Sequence, residues 1–249
     1  MFDAFFFAED TLFGCYHPPS DGASERLLVI CPPLFDEYRR CYRGLADLAN
    51  ACANQGCHVL RFDYQGTGES FGDLGDIDNL RWIENIHQAI EEGLALSGAG
   101  QVVLAGVRFG GTLAAYCHHP LVERLILWDP QASGAEFLRL QDQIRRDNEI
   151  THRGLARRLN LPTEALDYSQ FQLSEGLKNA LHSVNLAEAA AKSPYQWDIV
   201  TTGTEPPVSP SERIAHVETG VAYDWPIYHK GELVSKPILE TLAKRILAA

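Results

Sequence analysis

The chain has 249 residues, of which 45% are hydrophobic and 22% are charged, and its formal net charge is −12. This composition is typical of a globular protein with a sizeable core, and it excludes a disordered, collagen-like or coiled-coil chain. An acidic chain repels phosphate backbones, so we expect no nucleic-acid partner. The apolar runs are short and interrupted by charges, which predicts that no segment spans a membrane.

The six cysteines have neither the spacing of a disulfide scaffold nor that of a zinc site. The N-terminus has no basic stretch ahead of an apolar run, so it does not resemble a secretory signal. We therefore expect a cytoplasmic location in which the thiols stay reduced, with no bound metal and no cofactor.

Predicted strands and helices alternate through the first half of the chain. Hairpin strands are expected at 5–7 and 11–16, and buried strands at 26–31, 57–62, 101–106 and 125–128. Apolar residues at helical spacing predict a helix that stops near Gly56, a second helix capped by Asp78 or Asn79, and a third over 109–118. This alternation predicts a mostly parallel sheet with helices on both faces.

The alternation breaks after Asp129. Residues at about 133–192 show mainly helical patterns, which predicts a helical insertion, or lid, after the sixth strand. The sheet is expected to resume at 197–202 and to end with a strand at 214–217, and Pro237 is expected to start the final helix. We therefore predict a single domain over residues 1–249.

One sharp turn carries an unexpected residue. The run 106–110, Gly-Val-Arg-Phe-Gly, follows a predicted strand and precedes a predicted helix, which is the frame of a Gly-x-Ser-x-Gly nucleophile elbow. Arg108 stands at the nucleophile position, although a guanidinium has no available lone pair with which to attack a carbonyl. The alternative is that these glycines only pack the strand against the helix.

Four motifs in about the first 140 residues point to a family. They are the runs 32–37 (Pro-Pro-Leu-Phe-Asp-Glu), 63–70 (Asp-Tyr-Gln-Gly-Thr-Gly-Glu-Ser), 106–108 (Gly-Val-Arg) and 128–130 (Trp-Asp-Pro). With these motifs the chain resembles the α/β-hydrolases of the serine aminopeptidase-like group. More narrowly, it resembles the exosortase A system-associated hydrolases of the second type, from exopolysaccharide gene clusters. The resemblance implies an α/β-hydrolase fold with an N-terminal β-hairpin.

The resemblance also implies where a catalytic triad would stand. In this fold the nucleophile is followed along the chain by an acid and then by a histidine. Candidate acids are Asp129 and Glu205, each of which follows a predicted strand. The histidine is expected near residues 223–225, which contain none; the nearest candidate is His229, for which a surface position is the alternative. Arg108, Asp129, Glu205 and His229 are therefore vestigial catalytic candidates.

Arg108 at a helix start also suggests an anion site. Unpaired N–H groups and the helix dipole favour anions at such a position, and a guanidinium adds a fixed receptor for carboxylates. In the family the backbone N–H after the nucleophile and one from the loop after the third strand form the oxyanion hole. The predicted binding residues for a small anionic, acyl or carboxylate ligand are Arg108, Phe109, Gly110, Leu34 and Phe35. Alternatively, Arg108 pairs with an internal acid, either Asp129 or Glu205.

Three functions remain open at this stage. The first is a non-catalytic or atypical family member that binds an anionic ligand or a partner in exopolysaccharide production. The second is a hydrolase of an ester, thioester or amide with a non-standard catalytic arrangement. The third is a structural subunit that uses the helical insertion as an interface.

Overall fold

The computed structural model describes residues 2–20, 25–77, 80–159, 173–203, 205–225 and 234–248. Strands in these residues, numbered in chain order, form a sheet: β1 (Asp3–Phe7), β2 (Leu12–His17), β3 (Arg26–Cys31), β4 (His58–Phe62), β5 (Gln101–Val107), β6 (Val122–Trp128), β7 (Gln196–Thr201) and β8 (Ile214–Glu218). Their spatial order is β1-β2-β4-β3-β5-β6-β7-β8. The hairpin β1–β2 and the β2–β4 pair are antiparallel, and every other pair is parallel.

Helices cover both faces of the sheet. They are α1 (Asp36–Ala53), α2 (Arg81–Ser97), α3 (Phe109–Ala114), α4 (Gly134–Leu159), α5 (Glu175–His182), α6 (Leu186–Lys192) and α7 (Lys236–Leu247). Buried residues of α1 and α7 form one core with the sheet, and those of α2 to α6 form the other. Because α4, α5 and α6 lie between β6 and β7, the predicted fold class with its helical insertion is confirmed.

Helix α1 ends where the sequence predicts. Gly56 has a φ of 94°, and two backbone hydrogen bonds close the turn around it, from Gly56 N to Ala53 O and from Cys57 N to Cys52 O. This is the left-handed ending that glycine favours, because it has no Cβ to clash. The chain reverses here directly into β4.

Two predicted helix ends need correction. Helix α2 begins at Arg81 after Leu80, whose side chain makes no capping hydrogen bond, while Asp78 and Asn79 lie outside the described residues. Helix α3 ends at Ala114, not at residue 118. Pro120 disfavours helical backbone at the residue before it, and the Tyr195 hydroxyl instead accepts the backbone N–H of His119 at 2.8 Å.

The turn after β4 is held by its own polar side chains. Ser70 Oγ donates to the carbonyl of Asp63 at 2.6 Å and accepts the backbone N–H of Phe13 at 2.9 Å. The Asp63 carboxylate accepts the backbone N–H of Glu69 at 3.0 Å and the hydroxyl of Tyr38 at 2.7 Å. The Ser70 hydroxyl therefore makes hydrogen bonds to the backbone of this turn and of the hairpin, which is a structural role.

A buried histidine links β2, β4 and α1. His17 Nε2 accepts a hydrogen bond from Arg61 Nε at 3.2 Å, so in the neutral ring Nδ1 carries the proton and donates to Asn50 Oδ1 at 3.0 Å. Burial, together with the positive charge of Arg61, lowers the pKa of His17 from its ordinary 6.5 to about 4.

We predict that the stability of the protein depends on His17 in acid. Between pH 6.5 and about 4 the unfolded chain takes up a proton at His17 that the folded chain does not, so the free energy of unfolding falls as the pH falls. The His17 contribution to this loss is about 2–3 kcal/mol. His17→Gln keeps an acceptor and a donor without titrating. Urea unfolding from pH 7 to 4 is expected to be less pH-dependent in this variant, and equal slopes would contradict the assignment.

Candidate functional site

Arg108 lies at a sharp turn between β5 and α3. Its backbone φ is 51° and ψ is −126°, and its N–H donates to the carbonyl of Trp128 at 2.9 Å. A positive φ is strained for a residue with a side chain, as expected at an elbow of this kind. A Cβ on Gly106 would lie 2.3 Å from Gly111 Cα, and one on Gly110 would lie 2.0 Å from Pro32 O. Close backbone contacts therefore account for the glycines of the run 106–110.

The Arg108 side chain is paired inside the protein. Its Nε donates to Glu37 Oε1 at 2.9 Å, and its Nη1 donates to the backbone carbonyl of Asp129 at 3.0 Å. Its guanidinium carbon lies 5.0 Å from the centre of the Trp225 ring. The ion-pair partner is thus Glu37, which corrects the expectation of Asp129 or Glu205.

Glu37 reaches the elbow because α1 starts beside it. Phe35 adopts a φ of 59° and a ψ of −130° immediately before α1, which places Glu37 in the first turn of the helix. The Glu37 side chain is only 1% exposed. Burial raises the pKa of its carboxyl, while the positive charges of Arg108 and Arg40 act in the opposite direction. A buried carboxylate of this kind depends on its cationic partner.

Asp129 contacts Arg108 through its backbone carbonyl, whereas its carboxylate accepts hydrogen bonds from other donors. Oδ1 accepts the backbone N–H of Thr202 at 2.9 Å, and Oδ2 accepts the Thr202 hydroxyl and the Trp225 indole N–H, the latter at 2.8 Å. Asp129 follows β6 and Thr202 follows β7, so the ends of two adjacent strands meet here. Of the two candidate acids, Asp129 is buried beside Arg108, whereas Glu205 is exposed on the loop after β7.

Trp225 contacts both Arg108 and Asp129. It lies after β8, within the segment 223–225 where the family histidine is expected, and its ring is buried against Trp128 and Tyr223. A triad base would likewise have to reach both the nucleophile position and the acid. The indole N–H only donates hydrogen bonds, so this side chain cannot accept a proton. His229, the predicted candidate, lies outside the described residues.

The other predicted binding residues surround the elbow. The side chains of Leu34, Phe35 and Phe109 are buried, and Phe109 stacks on Phe137 of α4 with ring centres 4.3 Å apart. These side chains form apolar packing below the site. The polar groups available from this segment are backbone ones, since the first N–H groups of a helix have no acceptor within it.

The described cysteines do not offer an alternative nucleophile. All six are free and buried, and burial raises the pKa of each thiol, to about 12 for Cys52 and Cys117. Thiols in this state stay protonated at neutral pH and are poor nucleophiles. Within the part of the chain that the structure describes, no group of three or more His, Cys, Asp or Glu side chains suits a metal ion. No helix found there is long and apolar enough to cross a membrane.

Comparisons with known proteins agree with this architecture. The model of the Alpha/beta hydrolase family matches residues 28–229, and the chain belongs to this family. No curated protein matches the chain significantly.

Several solved structures share the fold at low identity. DcsB, solved in complex with its substrate analogue, is similar with a TM-score of 0.64 and 17% identity over 100% of this chain and 99% of its own. The α/β hydrolase GrgF from Penicillium sp. sh18 is similar with a TM-score of 0.62 and 18% identity, over 100% and 99% of the two chains. Est1E from Butyrivibrio proteoclasticus, solved with bound ferulic acid, has a TM-score of 0.61 and 18% identity, over 95% and 94%. At these identities the likeness shows the fold alone.

We predict that Arg108→Met destabilises the protein by about 2 kcal/mol at pH 7.5, because the buried Glu37 carboxylate loses its hydrogen-bonded partner and keeps only the Arg40 guanidinium nearby. The pKa of Glu37 in the folded variant then lies further above its ordinary 4.5. The destabilisation relative to the wild type is therefore smallest at low pH and grows as the pH rises from 4.5 through the raised pKa of Glu37. Denaturant unfolding between pH 5 and 8 measures both effects.

Two further variants control this experiment. Glu37→Leu added to Arg108→Met removes the orphaned carboxylate and is expected to recover most of the stability. Glu205→Gln alters an exposed acid and is expected to change stability by less than about 0.5 kcal/mol. Wild-type stability in Arg108→Met would show that the ion pair is not holding the elbow.

Proposed function

We propose that this protein is a non-hydrolytic member of the α/β-hydrolase family that binds a small anionic ligand of the carboxylate class at the elbow. The observation that carries the proposal is the interlocked set of Arg108, Asp129 and Trp225. These residues occupy the end of β5, the end of β6 and the segment after β8, where the family places its catalytic groups.

The chemistry of these three side chains supports the proposal that the protein does not catalyse acyl transfer. Arg108 has no lone pair with which to attack a carbonyl, and the Trp225 indole cannot take a proton from a nucleophile. The Asp129 carboxylate is occupied by three donors. The Glu37 carboxylate does not replace the missing base, because it is buried and already paired with Arg108.

The anionic ligand is supported by the unused part of the Arg108 guanidinium. Nε and Nη1 are bonded, but Nη2 donates no hydrogen bond to any residue that the structure describes. The side chain keeps 13% of its surface exposed. A carboxylate is a good acceptor for such a donor, particularly beside the backbone N–H groups of Phe109 and Gly110; those of Gly111 and Thr112 already donate to the Arg108 carbonyl. The structural neighbour Est1E was solved with a carboxylic acid, ferulic acid.

The biological setting is part of the proposal. The motifs in the first 140 residues resemble those of the exosortase A system-associated hydrolases of the second type, within the serine aminopeptidase-like group, which suggests a role in exopolysaccharide production. We also propose the cytoplasm as the compartment, and the six free thiols fit a reducing environment.

The other two hypotheses remain predictions. A non-standard hydrolase would need a nucleophile or base that the described site does not offer. The interface hypothesis rests on α4, which exposes Ile150, Leu155 and Leu159 to solvent.

A fluorophosphonate probe tests the absence of a catalytic serine. We expect no labelling of the wild-type protein by intact-mass spectrometry, with a known serine hydrolase as positive control. Arg108→Ser is expected to remain unlabelled and to show no ester turnover, because Trp225 cannot activate the new hydroxyl. Stoichiometric labelling of the wild type would overturn the proposal, and turnover in Arg108→Ser would show that another base persists.

A thermal-shift titration tests the ligand class. At constant ionic strength, acetate or benzoate at ten times its Kd is expected to raise the wild-type Tm by about 3–5 °C. Arg108→Met/Glu37→Leu removes one charge of each sign and is expected to lose this shift. A flat wild-type response across carboxylates and phosphate would contradict the proposed ligand.

A further inference from the structure

Glu37 uses only one of its two carboxylate oxygens. Oε1 accepts from Arg108 Nε at 2.9 Å, whereas Oε2 is buried and has no hydrogen-bond partner among the described residues. A buried carboxylate oxygen without a donor is unfavourable, because it has lost its hydration without replacement. The unused oxygen therefore marks Glu37 as incompletely satisfied in its present position.

Arg40 has the complementary deficit. It lies three residues after Glu37 in α1, so both side chains project from neighbouring positions on one side of the helix. Its Nη1 donates to the carbonyl of Trp225, and its guanidinium carbon lies 5.3 Å from the centre of the Tyr223 ring. Its Nε and Nη2 are buried and donate no hydrogen bond within the described part of the chain. These two nitrogens form the edge of a guanidinium that binds a carboxylate in a bidentate manner.

The same edge of Arg108 is only half available to a ligand. Nη2 is unbonded among the described residues, but Nε, the other half of the fork, is held by Glu37. Nη1 already donates one of its two N–H groups to the Asp129 carbonyl. A ligand carboxylate therefore obtains two parallel hydrogen bonds from the Nε edge only if Glu37 leaves.

We propose that Glu37 is an internal counter-anion which a ligand carboxylate displaces from Arg108, and that Arg40 receives the displaced Glu37 carboxylate. This inference rests on the proposed function and describes how the same site is loaded. Without ligand, the pair Arg108–Glu37 is formed and Arg40 has no carboxylate partner among the described residues. With ligand, both guanidiniums are paired with a carboxylate.

The exchange also defines the charge of the ligand. The two arginines carry two positive charges, and the carboxylates of Glu37 and Asp129 already balance them. A monocarboxylate therefore adds one negative charge to the buried site, whereas a phosphate dianion adds two and is the less favourable ligand. The site therefore favours a small monocarboxylate over a dianion.

Calorimetric titration with benzoate at pH 7.5 and constant ionic strength tests the exchange. Glu37→Gln removes the competing charge and is expected to bind benzoate at least ten-fold more tightly than the wild type. Asp36→Asn is the matched control, because this neighbouring acid pairs with the exposed Arg39, and its Kd is expected to be unchanged.

Arg40→Met tests the receiving residue. It is expected to weaken benzoate binding at least five-fold, because the displaced Glu37 then has no partner, while Arg39→Met on the exposed side of α1 leaves the Kd unchanged. In a Glu37→Gln background, Arg40→Met is expected to have no further effect. A merely structural role of Arg40 would weaken binding equally in both backgrounds.

The outcomes separate this inference from the proposed function. If the wild type binds benzoate and Glu37→Gln binds it no more tightly, the exchange is wrong and the proposed ligand class stands. If none of the folded variants binds benzoate, acetate or phosphate, both are wrong. Near-ultraviolet circular dichroism reports whether each variant is folded, and if Glu37→Gln is not, the Arg40→Met and Arg39→Met pair decides by the predicted difference in Kd.

Discussion

The buried ion pair between Arg108 and Glu37 is the interaction on which the arrangement of the site depends. It joins the elbow after β5 to the first turn of α1, and its partners are 71 residues apart in the chain. The residues immediately before α3 and α1, Arg108 and Phe35, both have a positive φ, so the backbone is strained on both sides of the pair. The Arg108–Glu37 ion pair therefore connects two strained turns.

The aromatic cluster after β8 completes this arrangement from the other side. Trp225 lies against the Arg108 guanidinium and donates its indole N–H to Asp129, while Arg40 donates to its carbonyl. Two arginines, a tryptophan and a carboxylate thus fix one segment at the edge of the sheet. Arg108 stands at the turn where a hydrolase of this fold carries its nucleophile. Its cationic side chain contacts an acid, Glu37, and an aromatic ring, that of Trp225.

The elbow was predictable because its signal is local. A buried strand, two glycines with a central residue and a following helix are contiguous, and the close contacts of Gly106 and Gly110 explain why those residues stand there. Asp129 was one of two candidate acids, because it and Glu205 each follow a predicted strand. Glu37 and Trp225 gave no comparable signal, because their roles arise only when the fold brings distant residues together; Trp225 and Asp129 are 96 residues apart. The lack of a histidine in the segment 223–225 indicated that this segment departs from the family pattern. It did not indicate that the indole of Trp225 contacts Asp129.

The charge of the site changes how an anion would bind there. From the sequence, Arg108 is a positive charge at an elbow in a chain of net charge −12, which favours simple addition of an anion. In the structure, two guanidiniums face the carboxylates of Glu37 and Asp129, so the immediate formal charge is balanced. Attraction between net charges then contributes little to ligand binding. The binding free energy then depends on the difference between two states, one in which Glu37 pairs with Arg108 and one in which it pairs with Arg40. This difference depends on the hydrogen-bonding atoms that have no partner in the first state. The unused oxygen of Glu37 and the unused nitrogens of Arg40 are such atoms, and both belong to α1. An anion would therefore bind by exchanging partners with the protein, and the first turns of α1 would determine its affinity.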